Sequence, residues 1–126
     1  MPLKHKYYNI NSNFVGPFPL TAEEIDKARY NQYGCYLLGY STAASYKIRY
    51  VGRGHLKTRL RTRLKERKYE VFYYKVANVK FTRFRIECSE FHRYGKANLL
   101  DNKIHPAKIA GNYPRCTEIG CNGEAY

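Results

Sequence analysis

The fold of this chain is decided by a stretch that begins with GCYLLGY at residues 34–40, continues with YKIRYVG at 46–52 and ends with RGHLKTRLRTR at 53–63. The first two segments are rich in aromatic and aliphatic residues, and the short Ser/Thr/Ala linker between them is typical of a β-hairpin. If Tyr40 lies opposite Tyr46, antiparallel pairing places Tyr36 opposite Tyr50 on the same face. We therefore expect two phenols side by side on this hairpin.

A basic helix is predicted to follow the hairpin. Gly52 and Gly54 allow a sharp turn. Leucines then recur at helical spacing, at Leu56, Leu60 and Leu64. The leucine stripe is flanked by cations in pairs one turn apart, Arg59 with Arg63 and Lys57 with Arg61. Because like charges one turn apart repel each other, a bound anion is a natural reason for keeping them there.

These residues resemble the motifs of the GIY-YIG nuclease family. The first motif of the family resembles Gly34-Cys35-Tyr36, the second resembles Tyr50-Val51-Gly52, and the helical arginine falls on Arg59. The resemblance covers residues 34–102. It implies an α/β fold of the α+β type, with a small central three-stranded antiparallel sheet flanked by helices. It also implies a divalent-metal-dependent phosphodiesterase, an endonuclease.

The resemblance assigns the site residues. The family has a metal-binding glutamate on a later helix and an asparagine after it, and the matching positions are Glu87 and Asn102. The implied catalytic residues are Tyr36, Tyr50, Arg59, Glu87 and Asn102. Glu87 is the implied metal ligand, for Mg²⁺ or alternatively Mn²⁺. The expected nucleic-acid contacts are Arg53, His55, Lys57, Arg61 and Arg63. Arg53 and Arg63 stand where family members carry other residues, and arginine cannot act as a general base.

The pattern of the later helix favours Glu87 independently of the family. A buried stripe is predicted from the helical spacing of Phe81, Phe84, Cys88 and Phe91. At about 100° per residue, Glu87 lies at the edge of that stripe, whereas Glu90 points well away from it. The alternative for Glu87 is a salt bridge to Arg83, one turn earlier.

Hydrolysis of a phosphodiester needs an activated water and stabilisation of charge at the phosphorus. Arginines and a metal-bound phosphate make a phenolate more accessible, so Tyr36 or Tyr50 is expected to accept the proton. Arg59 would stabilise the pentavalent phosphate and Asn102 would orient these groups. One carboxylate is enough for Mg²⁺, which keeps several waters. The plainer alternatives are tyrosines that only pack, a solvated arginine and an asparagine that caps a turn.

Composition indicates the class of partner. The chain has 126 residues, with 23 Lys+Arg against 10 Asp+Glu and a formal net charge of +13. This excess favours nucleic acid over an anionic membrane surface. Within nucleic acids, the resemblance to the nuclease family implies DNA, with RNA as the alternative. No apolar run approaches the roughly 20 residues of a membrane span, and the N-terminus has no signal-peptide core. We expect a cytoplasmic protein, and nothing in the sequence indicates an obligate protein partner.

The whole chain, residues 1–126, is expected to form a single GIY-YIG-like domain with its motif core at about 34–102. An N-terminal arm and helix would occupy residues 1–33, irregular over 1–20, with a capping box of Thr21 and Glu24 starting the helix. An irregular tail is expected over 110–126. Cys116 and Cys121 lack the short loop of zinc ligands, so we expect no zinc site there.

Two functions remain open from the sequence. The first is an endonuclease with low sequence specificity, or with a preference for a structure or a single strand. The second is a non-catalytic nucleic-acid-binding module on the same fold. Both predict salt-sensitive binding. Only the enzyme predicts that Glu87→Ala abolishes turnover and leaves binding largely intact.

Overall fold

The computed structural model describes residues 13–95 and 99–102, which form an α+β fold with helices packed on an antiparallel sheet. The strands are β1 (Val15–Pro19), β2 (Tyr33–Ser41), β3 (Tyr46–His55) and β4 (Val71–Val76). The helices are α1 (Ala22–Ile25), α2 (Leu56–Glu66) and α3 (Lys80–Arg93), with a short 3₁₀ helix at Ala28–Tyr30. The strand order is β1-β4-β2-β3 with every neighbouring pair antiparallel, so β3 is an edge strand of the described sheet.

The sheet has one strand more than the three predicted. The expectation of an irregular arm over residues 1–20 is wrong at Val15–Pro19, because this segment pairs with β4. Its glycine and prolines are typical of turns, yet an edge strand accepts proline because one side of its backbone needs no partner in the sheet. The rest of the arm, the tail over 110–126, Cys116 and Cys121 lie outside the described residues.

The two faces of the sheet pack against different helices. The core between the sheet and α2 includes the buried residues Tyr36, Leu38, Leu56, Leu60 and Phe72. The core between the sheet and α3 includes the buried residues Cys35, Leu37, Val51, Tyr73 and Phe91. In the described part of the chain, no helix is both long enough and apolar enough to cross a membrane.

The hairpin of β2 and β3 has a different register from the predicted one. The predicted pairing of Tyr40 with Tyr46 is wrong, because Tyr46 lies opposite Ser41. Tyr36 lies opposite Gly52 and Tyr50 opposite Leu38, with a further register shift between Leu38 and Gly39. Such a bulge is invisible in the alternation of apolar residues. The expected neighbourhood of the phenols is nevertheless confirmed, because the rings of Tyr36 and Tyr50 stack with centroids 6.2 Å apart and planes at 23°.

The buried surface of α3 is wider than the predicted stripe. Phe84, Cys88 and Phe91 are buried as expected, whereas Phe81, in the first turn, is 42% exposed. The prediction that Glu90 points away from the core is wrong, since this residue is only 4% exposed. Its carboxylate is paired with Arg93 at 3.1 Å, and a partner of this kind makes the burial of a charge tolerable.

Candidate active site

The candidate site lies at the end of β3, where this strand runs directly into α2. Gly52 faces Tyr36, and a Cβ at Gly52 would overlap with the Tyr36 ring and hydroxyl. Gly54 has a φ of +138°, and a Cβ there would come within 2.8 Å of Arg59 Nε. Because neither glycine has a Cβ, the Tyr36 phenol can approach the backbone of β3 at the residue before Arg53. The Arg59 guanidinium can approach it at the residue after Arg53.

Arg63 lies beside the phenols of Tyr36 and Tyr50. Its Nη2 donates to the Tyr50 hydroxyl at 2.5 Å, and its Cζ lies 4.2 Å from the centroid of the Tyr50 ring. Its Nη1 donates to Glu66 at 2.8 Å, and the same guanidinium lowers the pKa of Tyr36. Its Nε is buried and has no hydrogen-bond partner among the described residues. Arg63 is thus fixed by the Tyr50 phenol and the Glu66 carboxylate.

Both phenols are protonated at neutral pH. Burial raises the pKa of Tyr36 to about 12, with Tyr50 raising it further and Arg63 lowering it. Burial also raises the pKa of Tyr50, against the lowering effect of Arg63 and Arg59. The arginines alone therefore do not make a phenolate accessible, because burial outweighs them. A phenolate at this position needs the additional positive charge of a bound cation.

Glu87 and Arg53 form a buried ion pair on the face of β3 that α3 covers. Glu87 is 7% exposed, and Arg53 Nη1 donates to its Oε1. The Arg53 guanidinium lies 5.4 Å from the centroid of the Phe84 ring. Burial raises the pKa of Glu87, whereas the charge and hydrogen bond of Arg53 and the charge of Arg59 lower it. Arg83, the alternative partner from the sequence, donates instead to a backbone carbonyl.

The phenols and the ion pair act on one another electrostatically. The charge of Glu87 raises the pKa of both Tyr36 and Tyr50. The charge of Arg59 lowers the pKa of Tyr50 and of Glu87. Arg59 itself is exposed, and its side chain makes no hydrogen bond or ion pair within residues 13–95 and 99–102. It is therefore a cation of the site that is available to a ligand.

The carboxylate of Glu87 fits a hard cation that retains most of its waters. One carboxylate oxygen ligand suffices for Mg²⁺ when a phosphate oxygen is also bound. No group of three His, Cys, Asp or Glu side chains able to hold a metal occurs in the described ranges. A cation at Glu87 would take the place of the Arg53 guanidinium. The donor set thus fits Mg²⁺ or Mn²⁺ held mainly by water and substrate.

Asn102 binds the backbone of the second motif. Its Oδ1 accepts from the N–H of Val51 at 2.9 Å, and its Nδ2 donates to the carbonyl of Val51 at 2.8 Å. The N–H of Asp101 donates to the carbonyl of Arg49 at 2.5 Å, and its carboxylate pairs with the same arginine at 2.9 Å. Asn102 therefore fixes the strand that carries Tyr50.

Three of the predicted nucleic-acid contacts have structural partners away from the phenols. His55 caps α2, with its Nδ1 accepting from the N–H of Thr58 at 3.4 Å. Lys57 donates to the backbone carbonyl of Asp26 at 3.1 Å, and Arg61 binds the Asp26 carboxylate at 3.0 Å. The structure thus places this flank of α2 against the end of α1, whereas the flank of Arg59 and Arg63 is at the site.

Sequence reasoning missed one member of the cluster and one contact. Glu66 pairs with Arg63, and its charge raises the pKa of Tyr50. The spacing of three residues between Arg63 and Glu66 on a helix is a signal that could have indicated the pair. The contact between Arg63 and the phenols had no such signal, because it depends on how α2 lies across the sheet.

Comparison of the chain with protein-family models, with curated proteins and with solved structures finds no match. A function for this protein is therefore inferred from the geometry and electrostatics of the residues described above.

Proposed function

We propose that this protein is a metal-dependent endonuclease of the GIY-YIG type, which hydrolyses phosphodiester bonds in nucleic acid, preferably in DNA. The main support is one observation. Two stacked phenols, one of them hydrogen-bonded to Arg63, lie at the same end of β3 as the Arg53–Glu87 ion pair, and the charge of Glu87 raises the pKa of both phenols. Titratable groups whose pKa values are shifted by burial and by one another are typical of catalytic sites.

In the proposed reaction, Glu87 would hold a divalent cation, whose chemistry would be to supply positive charge at the scissile phosphate and to lower the pKa of water there. Tyr50 or Tyr36, as a phenolate, takes the proton of the attacking water, whose oxygen forms the new bond to phosphorus. Arg59 stabilises the charge on the pentavalent phosphate. The bond from phosphorus to the leaving oxygen then breaks, and that oxygen takes a proton from solvent. Arg63 holds the Tyr50 hydroxyl in place beside the Tyr36 ring.

The charge of the whole chain supports a polyanionic substrate. A net charge of +13 on 126 residues promotes association with a polyanion such as nucleic acid. Arg59 supplies a cation at the site that is not neutralised by a carboxylate of the described residues. A phosphate oxygen is the ligand that such an arginine binds best.

The proposal is tested by cleavage of supercoiled plasmid, linear duplex, single-stranded DNA and RNA, with Mg²⁺, Mn²⁺ or EDTA. Wild type is compared with Glu87→Gln and with the matched control Glu90→Gln, which alters a buried carboxylate of the same helix. We expect cutting that needs the metal, falls at least about a hundredfold in Glu87→Gln and persists in Glu90→Gln. Cutting that survives Glu87→Gln would contradict the proposed role of this carboxylate.

A non-catalytic nucleic-acid-binding module is the second candidate. This candidate is favoured because Arg53 already pairs with the Glu87 carboxylate, so a metal ion would have to displace the half-buried Arg53 guanidinium. Binding of the same substrates by wild type, without cutting in either metal, would support this candidate over the nuclease.

A further inference from the structure

Two aromatic side chains of the described residues are exposed, and both lie near one corner of the fold. Tyr33 is 48% exposed and Phe81 is 42% exposed. Tyr33 begins β2, and Phe81 belongs to the first turn of α3. The end of β4 joins these elements, because the N–H of Ala77 donates to the carbonyl of Tyr33 at 2.9 Å. The exposed side chains of Val76 and Val79 extend this corner with further apolar surface.

Tyr33 is adjacent to the candidate active site. It lies two residues before Cys35, which pairs with Arg53 across the hairpin. Side chains alternate along a strand, so Tyr33 is on the same face of the sheet as the Arg53–Glu87 pair. Two residues of extended chain span about 7 Å. Arg53 pairs with Glu87, the proposed holder of the cation at the scissile phosphate, so a nucleotide next to that phosphate is within reach of the Tyr33 ring.

Arginines of α3 support both exposed rings. Arg83 Cζ lies 4.8 Å from the centroid of Tyr33, and Arg85 Cζ lies 5.7 Å from the centroid of Phe81. Arg83 is buried, and its Nη1 donates to the carbonyl of Ala77 at 2.9 Å. Tyr33 is thus held by a fixed guanidinium on the protein side, while about half of its surface faces solvent. Aromatic rings beside cations are the surfaces on which unpaired bases stack.

We propose that Tyr33, supported by Arg83, is a stacking subsite for an unpaired nucleobase next to the scissile phosphate. The inference rests on the proposed nuclease for the position of the cleaved bond. In a duplex both faces of each base are covered by its neighbours, so a base must leave the stack to reach the ring. The substrate is therefore single-stranded or locally unpaired nucleic acid. The chemistry of stacking is the same for DNA and RNA, because every base has an aromatic face.

The first test measures binding in EDTA, so that no cleavage occurs. Fluorescence anisotropy compares oligo-dT, oligo-U and a DNA duplex of equal length, for wild type, Tyr33→Ala, Tyr33→Leu and Tyr33→Phe. We expect the Ala and Leu variants to bind single strands about 5- to 150-fold more weakly, and the Phe variant to bind like wild type. Duplex affinity should change less than about twofold, since no stacking is lost there. The two single strands show whether DNA or RNA is the better ligand.

An unchanged affinity of Tyr33→Leu for both single strands, or an equal loss on the duplex, would overturn the inference.

A second measurement does not depend on variants. Photocrosslinking with 5-iodouracil oligonucleotides, followed by peptide mapping, should label Tyr33, and crosslinks confined to other residues would count against it. Sedimentation tests a second copy of the chain as the occupant, and a wild-type dimer that Tyr33→Ala dissociates would also overturn it.

The outcomes separate this inference from the proposed function. Wild type that stacks a base on Tyr33 but cuts no substrate would refute the nuclease and leave the subsite standing. Wild type that cuts duplex and single strands equally, with Tyr33→Leu as active as wild type on both, would refute the subsite alone.

Discussion

A single glycine controls the position of Tyr36, the first of the two tyrosines at the candidate site. The ring and hydroxyl of Tyr36 lie against the backbone of Gly52, in the space that a Cβ would occupy. The requirement is steric, because Gly52 is buried opposite Tyr36 in the hairpin. The glycine of the second motif is therefore part of the site without contributing a functional group.

We expect Gly52→Ala to move Tyr36 and to lower cleavage per folded molecule by at least about tenfold, because a 1 Å misplacement can cost a hundredfold. The free energy of unfolding should fall by about 1–3 kcal/mol through overpacking. Gly39→Ala is the matched control, because its Cβ would overlap the carbonyl of Lys47 in the same hairpin. Urea unfolding and cleavage rates check both variants. Equal activity per folded molecule in the two would contradict the steric role.

Arg53→Gln should leave Glu87 buried without its partner and lower the free energy of unfolding by about 3 kcal/mol at neutral pH. Burial already holds the pKa of Glu87 above its usual 4.5, and loss of Arg53 raises this pKa further. A carboxyl group whose pKa is higher in the folded state binds its proton more tightly there. The stability of the variant relative to wild type should therefore fall as the pH rises above about 4.5 and recover in acid.

Urea unfolding of Arg53→Gln at a series of pH values measures this dependence. The double variant Arg53→Gln/Glu87→Gln has no buried carboxyl group to titrate, and we expect its stability relative to wild type to lack the fall that the single variant shows. A loss in Arg53→Gln that stays constant from pH 4 to pH 8 would show that Glu87 is not the group responsible.

At the scale of elements, β3 assembles the site. Its face toward α2 carries Tyr50, its face toward α3 carries Arg53, and its last residue caps the helix that brings Arg59 and Arg63. An edge strand has unpaired backbone groups on its outer side. At Val51 the side-chain amide of Asn102 binds both of these groups.

We expect Asn102→Ala to lower the free energy of unfolding by about 1–3 kcal/mol, because two hydrogen bonds to β3 are lost. Cleavage should fall as Tyr50 loses its fixed position, while the metal concentration for half-maximal activity stays the same. Asn102→Asp retains an acceptor for the Val51 N–H, so its free energy of unfolding and its cleavage rate should lie between those of wild type and Asn102→Ala. Asn78→Ala, at an exposed asparagine, is the control. A shifted metal requirement in Asn102→Ala would instead indicate direct contact with the cation.

The elements show how far sequence reasoning reaches. The hairpin, the basic helix and the buried face of α3 follow from the periods of apolar residues, and the neighbourhood of Tyr36 and Tyr50 follows from them. The bulge after Leu38 does not, because one extra residue leaves no trace in composition. Strand β1 is hidden by residues that also form turns. Helical spacing separates the two flanks of α2, but only packing shows that one of them binds Asp26.

At the scale of the whole molecule, the net charge of +13 is distributed over cations with very different partners. Arg61 pairs with Asp26 at 3.0 Å, whereas Arg59, two residues earlier on α2, makes no ion pair among the described residues. A paired arginine has part of its charge compensated before nucleic acid arrives. The two residues therefore differ in what they add to binding.

We expect Arg59→Ala to reduce the slope of log K against log salt by about 1, because one phosphate contact is lost. Arg61→Ala should change the slope less. Anisotropy titrations in EDTA over a series of NaCl concentrations measure both, with Asn78→Ala, at an exposed uncharged residue, as a control that leaves every charge unchanged. Identical slopes for the two arginine variants would show that Arg59 does not contact the backbone of the nucleic acid.

The parts of the site lie far apart along the chain, which matters during translation. Tyr36 and Tyr50 are synthesised early, whereas Glu87 and Asn102 come much later. At about 5–20 residues per second, the basic helix leaves the ribosome seconds before the carboxylate does. A nascent chain can therefore be attracted to ribosomal RNA before Glu87 and Asn102 have emerged. On the proposed function, hydrolysis begins only when α3 and the segment that carries Asn102 have folded onto the sheet.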